Sequence, residues 1–255
     1  MKKKNAIWIV APILIVIGAF LCFIPALMGQ TTQEPEFTPL SQEELDKCPA
    51  TEPLAMRSLS ETEYLPLTKA AYHAPVADSH FDNTLFIGDS LTNGLELFGT
   101  LKNASYFCAT SATAAGTLAS PSLDAHLSAN FYDAVYLMLG INEMGTNPSV
   151  YASRMGQLID LVRSRQPRAR IYLQTILPVV PEKTWSETVF SVSNIRAANA
   201  ALRTLAEEKN VTLVDTYYAF ADKSGRMPDG MTGDGVHLLA KNYAIWCDYL
   251  RTHTA

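Results

Sequence analysis

From residue 81 onward, short apolar runs rich in β-branched and aromatic residues alternate with longer stretches of helical period, and that alternation admits few folds. Runs at 84–88, 105–109, 133–139, 170–176 and 211–215 have the composition of strands covered on both faces. Helices are predicted at 91–99, 149–166, 190–209 and 238–252. In the third of these, Ile195, Ala198, Leu202 and Leu205 form one stripe, with Arg196, Arg203, Glu207 and Glu208 facing away. Strands and helices in this succession are joined by right-handed crossovers into a mostly parallel sheet, so the expected class is α/β.

The first 80 residues read differently. Residues 5–28 are almost wholly apolar and carry no charge, and Lys2, Lys3 and Lys4 precede them. At about 1.5 Å per residue this stretch spans a hydrocarbon core. The lysines hold the N-terminus inside, so the remainder is expected outside the cytoplasm. A cleaved signal peptide, giving a secreted protein, is the alternative. The run is long for a signal peptide and Ala26-Leu27-Met28 is a poor cleavage site, so an uncleaved single-pass anchor is preferred. Residues 30–80 hold six prolines and nine acids against three bases, the composition of a stalk, with Leu65, Leu67 and Tyr72 available to pack its end against the folded domain. The expected organisation is an anchor at 1–29, a stalk at 30–80 and a folded domain at 81–255.

The charge balance excludes some partners. The formal net charge is -5, and removing the three N-terminal lysines leaves -8 on the remainder. No basic patch points to nucleic acid. Cys48, Cys108 and Cys247 are too few and oddly numbered for a disulfide framework, and Cys22 falls inside the apolar stretch. Cys108 and Cys247 are read as packed thiols. No phosphate-cradling glycine loop, Gly-x-Ser-x-Gly elbow or metal-ligand spacing is present.

In open α/β sheets, sites form beyond the carboxyl ends of the strands. Three segments of the chain fall there. Gly88-Asp89-Ser90-Leu91 follows the first strand and opens a helix, which places the Ser90 N–H where negative charge is favoured. Gly140-Ile141-Asn142 follows the third strand. Asp234-Gly235-Val236-His237 precedes the last helix. A serine hydroxyl is a poor nucleophile until a base takes its proton, and His237 is the candidate base. Asp234, three residues earlier, can orient the imidazole and also cap the helix. The Ser90 N–H and the Asn142 amide are natural donors to an oxyanion. Asp89 is read as shaping the turn. His73, His80, His126 and His253 lack any motif context.

With these blocks in this order, the stretch from Asn83 to Tyr249 resembles the SGNH, or GDSL-type, hydrolases. Phe86 to Leu91 is similar to the first signature block of that family, Gly140 to Glu143 to the third, and Asp234 to Leu238 to the fifth. The resemblance implies a flavodoxin-like three-layer α/β/α sandwich around a five-stranded parallel sheet. It also implies Ser90 as nucleophile, Asn142 as oxyanion donor and Asp234 with His237 as the relay, with no cofactor. The second block departs from the family pattern. Where the family carries an oxyanion-hole glycine, this chain reads Ala109-Thr110-Ser111-Ala112-Thr113; Ser111 is the equivalent position, with Ala112 and Gly116 as alternatives. Glu143 stands where aspartate is common and is taken as supportive.

Trp185, in the polar segment 178–190 after the fourth strand, can wall a cleft and stack on a sugar. The expected protein is a membrane-anchored, extracytoplasmic serine esterase that removes acyl groups, with O-acetyl groups of envelope glycans as first substrate and lipid or lysophospholipid esters as second. Acyl transfer to a sugar hydroxyl uses the same residues, and a non-catalytic glycan-binding domain on the same fold is the rival from another class. The sequence leaves the oligomeric state open.

Overall fold

The computed structural model describes residues 70–254. Five strands, β1 (Thr84–Gly88), β2 (Ser105–Cys108), β3 (Ala134–Met138), β4 (Arg170–Gln174) and β5 (Thr212–Val214), form one sheet in the order β2-β1-β3-β4-β5. Every neighbouring pair is parallel. Seven α-helices are described: α1 (Ser90–Phe98), α2 (Ala114–Leu118), α3 (Pro121–Ala129), α4 (Pro148–Arg165), α5 (Val192–Lys209), α6 (Thr216–Phe220) and α7 (Tyr243–Thr252). Helices α1 and α6 pack against α7 in one layer; α2, α3 and α5 pack against α4 in the other. The result is a three-layer α/β/α sandwich.

Both sheet faces are buried, as the uniformly apolar strands require. On one face the register places Tyr106, Phe86, Tyr136 and Tyr172 side by side on four adjacent strands. Their rings stack with centroid separations of 5.2, 4.8 and 4.3 Å. Each such contact adds about 0.5–1.5 kcal/mol beyond simple burial. Leu85, Ile87, Val135, Leu137, Ile171 and Leu173 alternate with these rings, so they project to the opposite face, and all are buried.

All five strands form where the apolar runs predict them, with ends shifted by a residue or two. Expected strand 170–176 stops at Gln174; the Thr175 N–H still donates to the Val214 carbonyl at 3.1 Å, and the ladder ends after it. The Thr175 hydroxyl donates to Asp215 and the Ile176 N–H to the Asn199 side chain. The final helix begins at Tyr243 instead of 238. Leu238 bridges to Thr232, and a 3-10 turn at Ala240–Asn242 intervenes. The short helices α2, α3 and α6 are additions to the sequence reading.

Residues 70–76 lie against the domain. The Ala70 N–H donates to the Leu213 carbonyl at 2.8 Å, and those of His73 and Val76 to Thr252 and Arg251. Ala70 is buried; Tyr72, expected to pack there, meets the His253 ring edge-on at 5.8 Å while remaining 74% exposed. Leu65, Leu67, Cys48 and the expected anchor lie outside the described residues. Among the described residues, no helix is long and apolar enough to cross a membrane.

Candidate active site

Strand β1 delivers Ser90 through a very tight corner. A Cβ on Gly88 would sit 1.9 Å from the Thr92 hydroxyl and 2.7 Å from the Met138 carbonyl, so only glycine lets α1 fold back this closely. Asp89 caps the helix, its carboxylate accepting from the Leu91 N–H at 2.9 Å, and so shapes the turn. Its carboxyl is buried, and burial pushes it up to about 7 against the opposing pull of the Leu91 N–H and of His237. Ser90 is then the first residue of α1, where backbone N–H groups have no helical acceptor.

Across the sheet edge, the Ser90 Oγ lies 2.8 Å from the His237 Nε2, and the His237 Nδ1 lies 2.7 Å from the Asp234 Oδ2. The carboxylate accepts the proton on Nδ1, which leaves Nε2 free to accept from the serine. The other Asp234 oxygen accepts from the Val236 and His237 N–H groups at 2.9 and 2.8 Å and from the Thr232 hydroxyl at 3.2 Å. Partial burial raises the Asp234 carboxyl, but hydrogen bonds from the His237 ring and from the two amides outweigh it and hold the group near 2. Asp234 is therefore ionised throughout the neutral range.

Thr232 is a residue that sequence reading missed. It is buried, and its hydroxyl both reaches Asp234 and accepts from the Gly235 N–H at 2.9 Å. Nothing in its local pattern separates it from other loop threonines. Gly235 has φ +89°, and a Cβ there would lie 2.6 Å from the Val180 carbonyl oxygen. Its own carbonyl accepts from the Val180 N–H at 2.8 Å, which ties the Asp234–His237 loop to the segment after β4.

The second block forms a tight turn. The Ala112 N–H closes on the Ala109 carbonyl at 3.2 Å, with Ser111 at φ +61° in the third position. This is a type II turn, which calls for glycine or asparagine at that place. Holding a serine there costs about 1–2 kcal/mol. The three positions weighed from sequence now differ physically. The Ala112 N–H is engaged in the turn, and the Gly116 N–H donates to the Thr113 hydroxyl that caps α2. The Ser111 N–H has no backbone acceptor among the described residues.

Two neighbouring residues of the third block grip this turn. The Asn142 amide donates to the Ala112 carbonyl at 3.0 Å, and the buried Glu143 carboxylate accepts from the Ala114 N–H at 2.7 Å. One proton of the Asn142 amide remains available. Arg154 approaches the other Glu143 oxygen at 3.5 Å. Glu143, which sequence reading treats as merely supportive, thus braces the start of α2.

Ser90, Asn142 and His237 line a cleft of about 410 Å³, walled by Ile141, Val236, Phe190 and Trp185, with Lys183 and Thr184 alongside. Trp185 is 80% exposed, and its ring meets the buried Phe190 edge-on at 5.1 Å. The segment that carries it is bound to residues beyond α6 through the Glu182–Arg226 ion pair. Among the described residues, no group of three or more His, Cys, Asp or Glu side chains could hold a metal ion. The cleft therefore brings together a hydroxyl, an imidazole and a carboxylate in hydrogen-bonded series beside free N–H groups, an arrangement suited to acyl transfer.

Comparison with known proteins agrees with this geometry. Residues 86–245 match the GDSL-like lipase/acylhydrolase family, a span that includes all three signature segments. Among solved structures, a Streptococcus pneumonia protein provisionally named as a platelet activating factor is 25% identical, with a TM-score of 0.55 over 68% of this chain and 87% of its own. A GDSL-like lipase from Bacteroides thetaiotaomicron shares the fold at 15% identity, with a TM-score of 0.55 over 70% of this chain and 90% of its own. A Desulfitobacterium hafniense protein of the G-D-S-L family, provisionally described as lipolytic, does so at 17% identity and a TM-score of 0.54, over 66% and 97%. No curated protein matches the chain. With the fold and the family match in agreement, the chain belongs to the GDSL-like lipase/acylhydrolase family.

Proposed function

We propose that the chain is a serine esterase in which Ser90 attacks the ester carbonyl, His237 takes the hydroxyl proton and Asp234 orients and balances the ring. The observation that carries this reading is the unbroken series of short contacts from Ser90 through His237 to Asp234. The alkoxide formed on the carbonyl is held by the N–H groups of Ser90 and Ser111 and the free proton of the Asn142 amide. His237 then protonates the leaving alcohol, and water repeats the cycle on the acyl-enzyme. No cofactor is needed for these steps.

The bare face of Trp185 beside the nucleophile favours an ester carried by a sugar, and an acetyl group fits a cleft of about 410 Å³. We take O-acetylated glycan as the first substrate class, ahead of lipid esters. The apolar stretch at 5–28 and the lysines before it support a membrane-anchored protein with this domain outside the cytoplasm.

The test is hydrolysis of p-nitrophenyl acetate by the full chain beside Ser90→Ala. The variant is expected to lose at least about a thousandfold in kcat while melting at an unchanged temperature. Equal rates would remove the esterase reading. Acetate release from acetylated glycans against p-nitrophenyl esters of increasing chain length then ranks the substrate classes.

A further inference from the structure

We propose that the Ser111 hydroxyl is itself a catalytic donor, hydrogen-bonding the carbonyl oxygen of the ester as negative charge develops on it. The proposal deepens the serine-esterase reading and rests on it.

Three observations converge on this side chain. The first is strain: Ser111 occupies the one position of a type II turn where a Cβ is unfavourable, at φ +61°. Glycine would satisfy the backbone without cost and would keep the N–H, so the hydroxymethyl group is not there for the turn. Strain retained at a site is evidence that the strained group is used. The second is lack of satisfaction within the protein. Ser111 is exposed, and its hydroxyl makes no hydrogen bond among the described residues. Thr232, Thr184 and Thr113 spend their hydroxyls on the backbone or on Asp234, and the Thr92 hydroxyl, which has no partner, is buried behind Gly88 and not exposed as Ser111 is.

The third is position. The Ala109 N–H donates to the Gly88 carbonyl, and the Asn142 amide donates to the Ala112 carbonyl. The turn is thus tied at one end to the strand that delivers Ser90 and at the other to the expected oxyanion amide. His237 must stand on the side of the departing alcohol, because it protonates that group. Its loop is joined to the Trp185 segment through Val180 and Gly235. In the sheet order β2-β1-β3-β4-β5, the Ser111 turn lies past β2 and the Trp185 segment past β4, on opposite flanks of Ser90. A substrate with its alcohol toward Trp185 turns its acyl carbonyl toward Ser111. There the hydroxyl adds to the N–H of the same residue.

Steady-state kinetics of the full chain on p-nitrophenyl acetate test the idea, with Ser111→Ala, Ser111→Gly and Ser90→Ala side by side. Both Ser111 variants keep the N–H, so any loss they share belongs to the hydroxyl. The expected result is a fall in kcat of roughly tenfold to a hundredfold in each, the range for a hydrogen bond to a charged partner, with KM changed less than about twofold. Ser111→Gly is expected to melt about 2–4 °C higher than the wild type as its backbone relaxes. Slower turnover in a more stable protein is an outcome that a structural role does not give. Wild-type kcat in Ser111→Ala would overturn the proposal, as would a rise in KM alone. A wild type no faster than Ser90→Ala would instead remove the esterase reading, and this proposal with it.

Discussion

Ser90 and His237 face each other across 2.8 Å but are fixed by unlike means. Ser90 stands on a strand-to-helix corner whose neighbours Gly88, Asp89 and Leu91 are all buried, and packing leaves it nowhere to go. His237 and Asp234 lie on an irregular loop, with side chains 46% and 58% exposed. What holds them is a set of directed hydrogen bonds: Asp234 with Val236, His237 and Thr232, and Gly235 with Thr232 and Val180. Ser90 is placed by burial and the Asp234–His237 pair by hydrogen bonding. Damage to the first half should therefore register chiefly in stability, whereas damage to the second should always register in rate, whatever it does to stability.

The sharpest way to break the comparison is Asp234→Asn. Its amide would present the wrong partner to the His237 Nδ1, and kcat is expected to fall by about 10³–10⁴-fold. At neutral pH the variant should also lose a little stability, because the ionised carboxylate is favoured in the folded protein, though its exposure to solvent keeps the loss small. The contribution of Asp234 itself to stability is present above pH 3.8 and lost only as pH falls through about 2, because its folded carboxyl is held low. A kcat within about tenfold of the wild type would show that Asp234 does not orient His237.

Gly235→Ala comes next. It forces a side chain onto a left-handed backbone and against the Val180 carbonyl, so the loop must move away from the Trp185 segment. We expect a loss of about 1–3 kcal/mol in stability, read from denaturant unfolding, together with roughly tenfold in kcat. An unchanged rate would mean that the clamp to Val180 does not set the position of His237.

Asp89→Asn probes the buried half and has the smallest expected effect on rate. The wild-type carboxyl takes up a proton on folding. Its contribution is full below pH 3.8, falls as pH rises through about 7 and is constant above. Asparagine still accepts from the Leu91 N–H and carries no charge to desolvate. The variant should be more stable than the wild type at pH 8 by a few kcal/mol, since each tenfold change in proton affinity on folding is worth about 1.4 kcal/mol. The two should converge near pH 4, with kcat kept within about threefold because the cap survives. Parallel stability curves from pH 4 to 8 would sink this account.

Much of the architecture was legible because a strand covered on both faces leaves an unmistakable apolar run, as at 84–88 and 133–139. The order of Ser90, Asn142, Asp234 and His237 was legible because strand ends converge on one edge of a parallel sheet. The short helices were not. Helix α2 has five residues and is held by the Thr113 cap and by Glu143, a partner 29 residues away, so no local period announces it. Helix α3 shows only Leu123 and Leu127 as buried positions. Thr232 escaped for a related reason, since its importance lies in a hydrogen bond and not in a pattern. The Ser111 position could be named from sequence, but its left-handed backbone becomes visible only once the turn has formed.

The row of rings across the sheet has a bearing on tolerance to change. Phe86, Tyr106 and Tyr136 mark one level on three adjacent strands, and Ser90, Ser111 and Asn142 lie four, five and six residues beyond that level. A slip of one strand by a single residue would displace its loop by about 3.3 Å, more than the gap between nucleophile and imidazole. The stacked aromatics thus work as a ruler, setting the height at which each reacting group emerges. Substituting one of them would be felt first as misalignment at the rim, well before the sheet itself gave way.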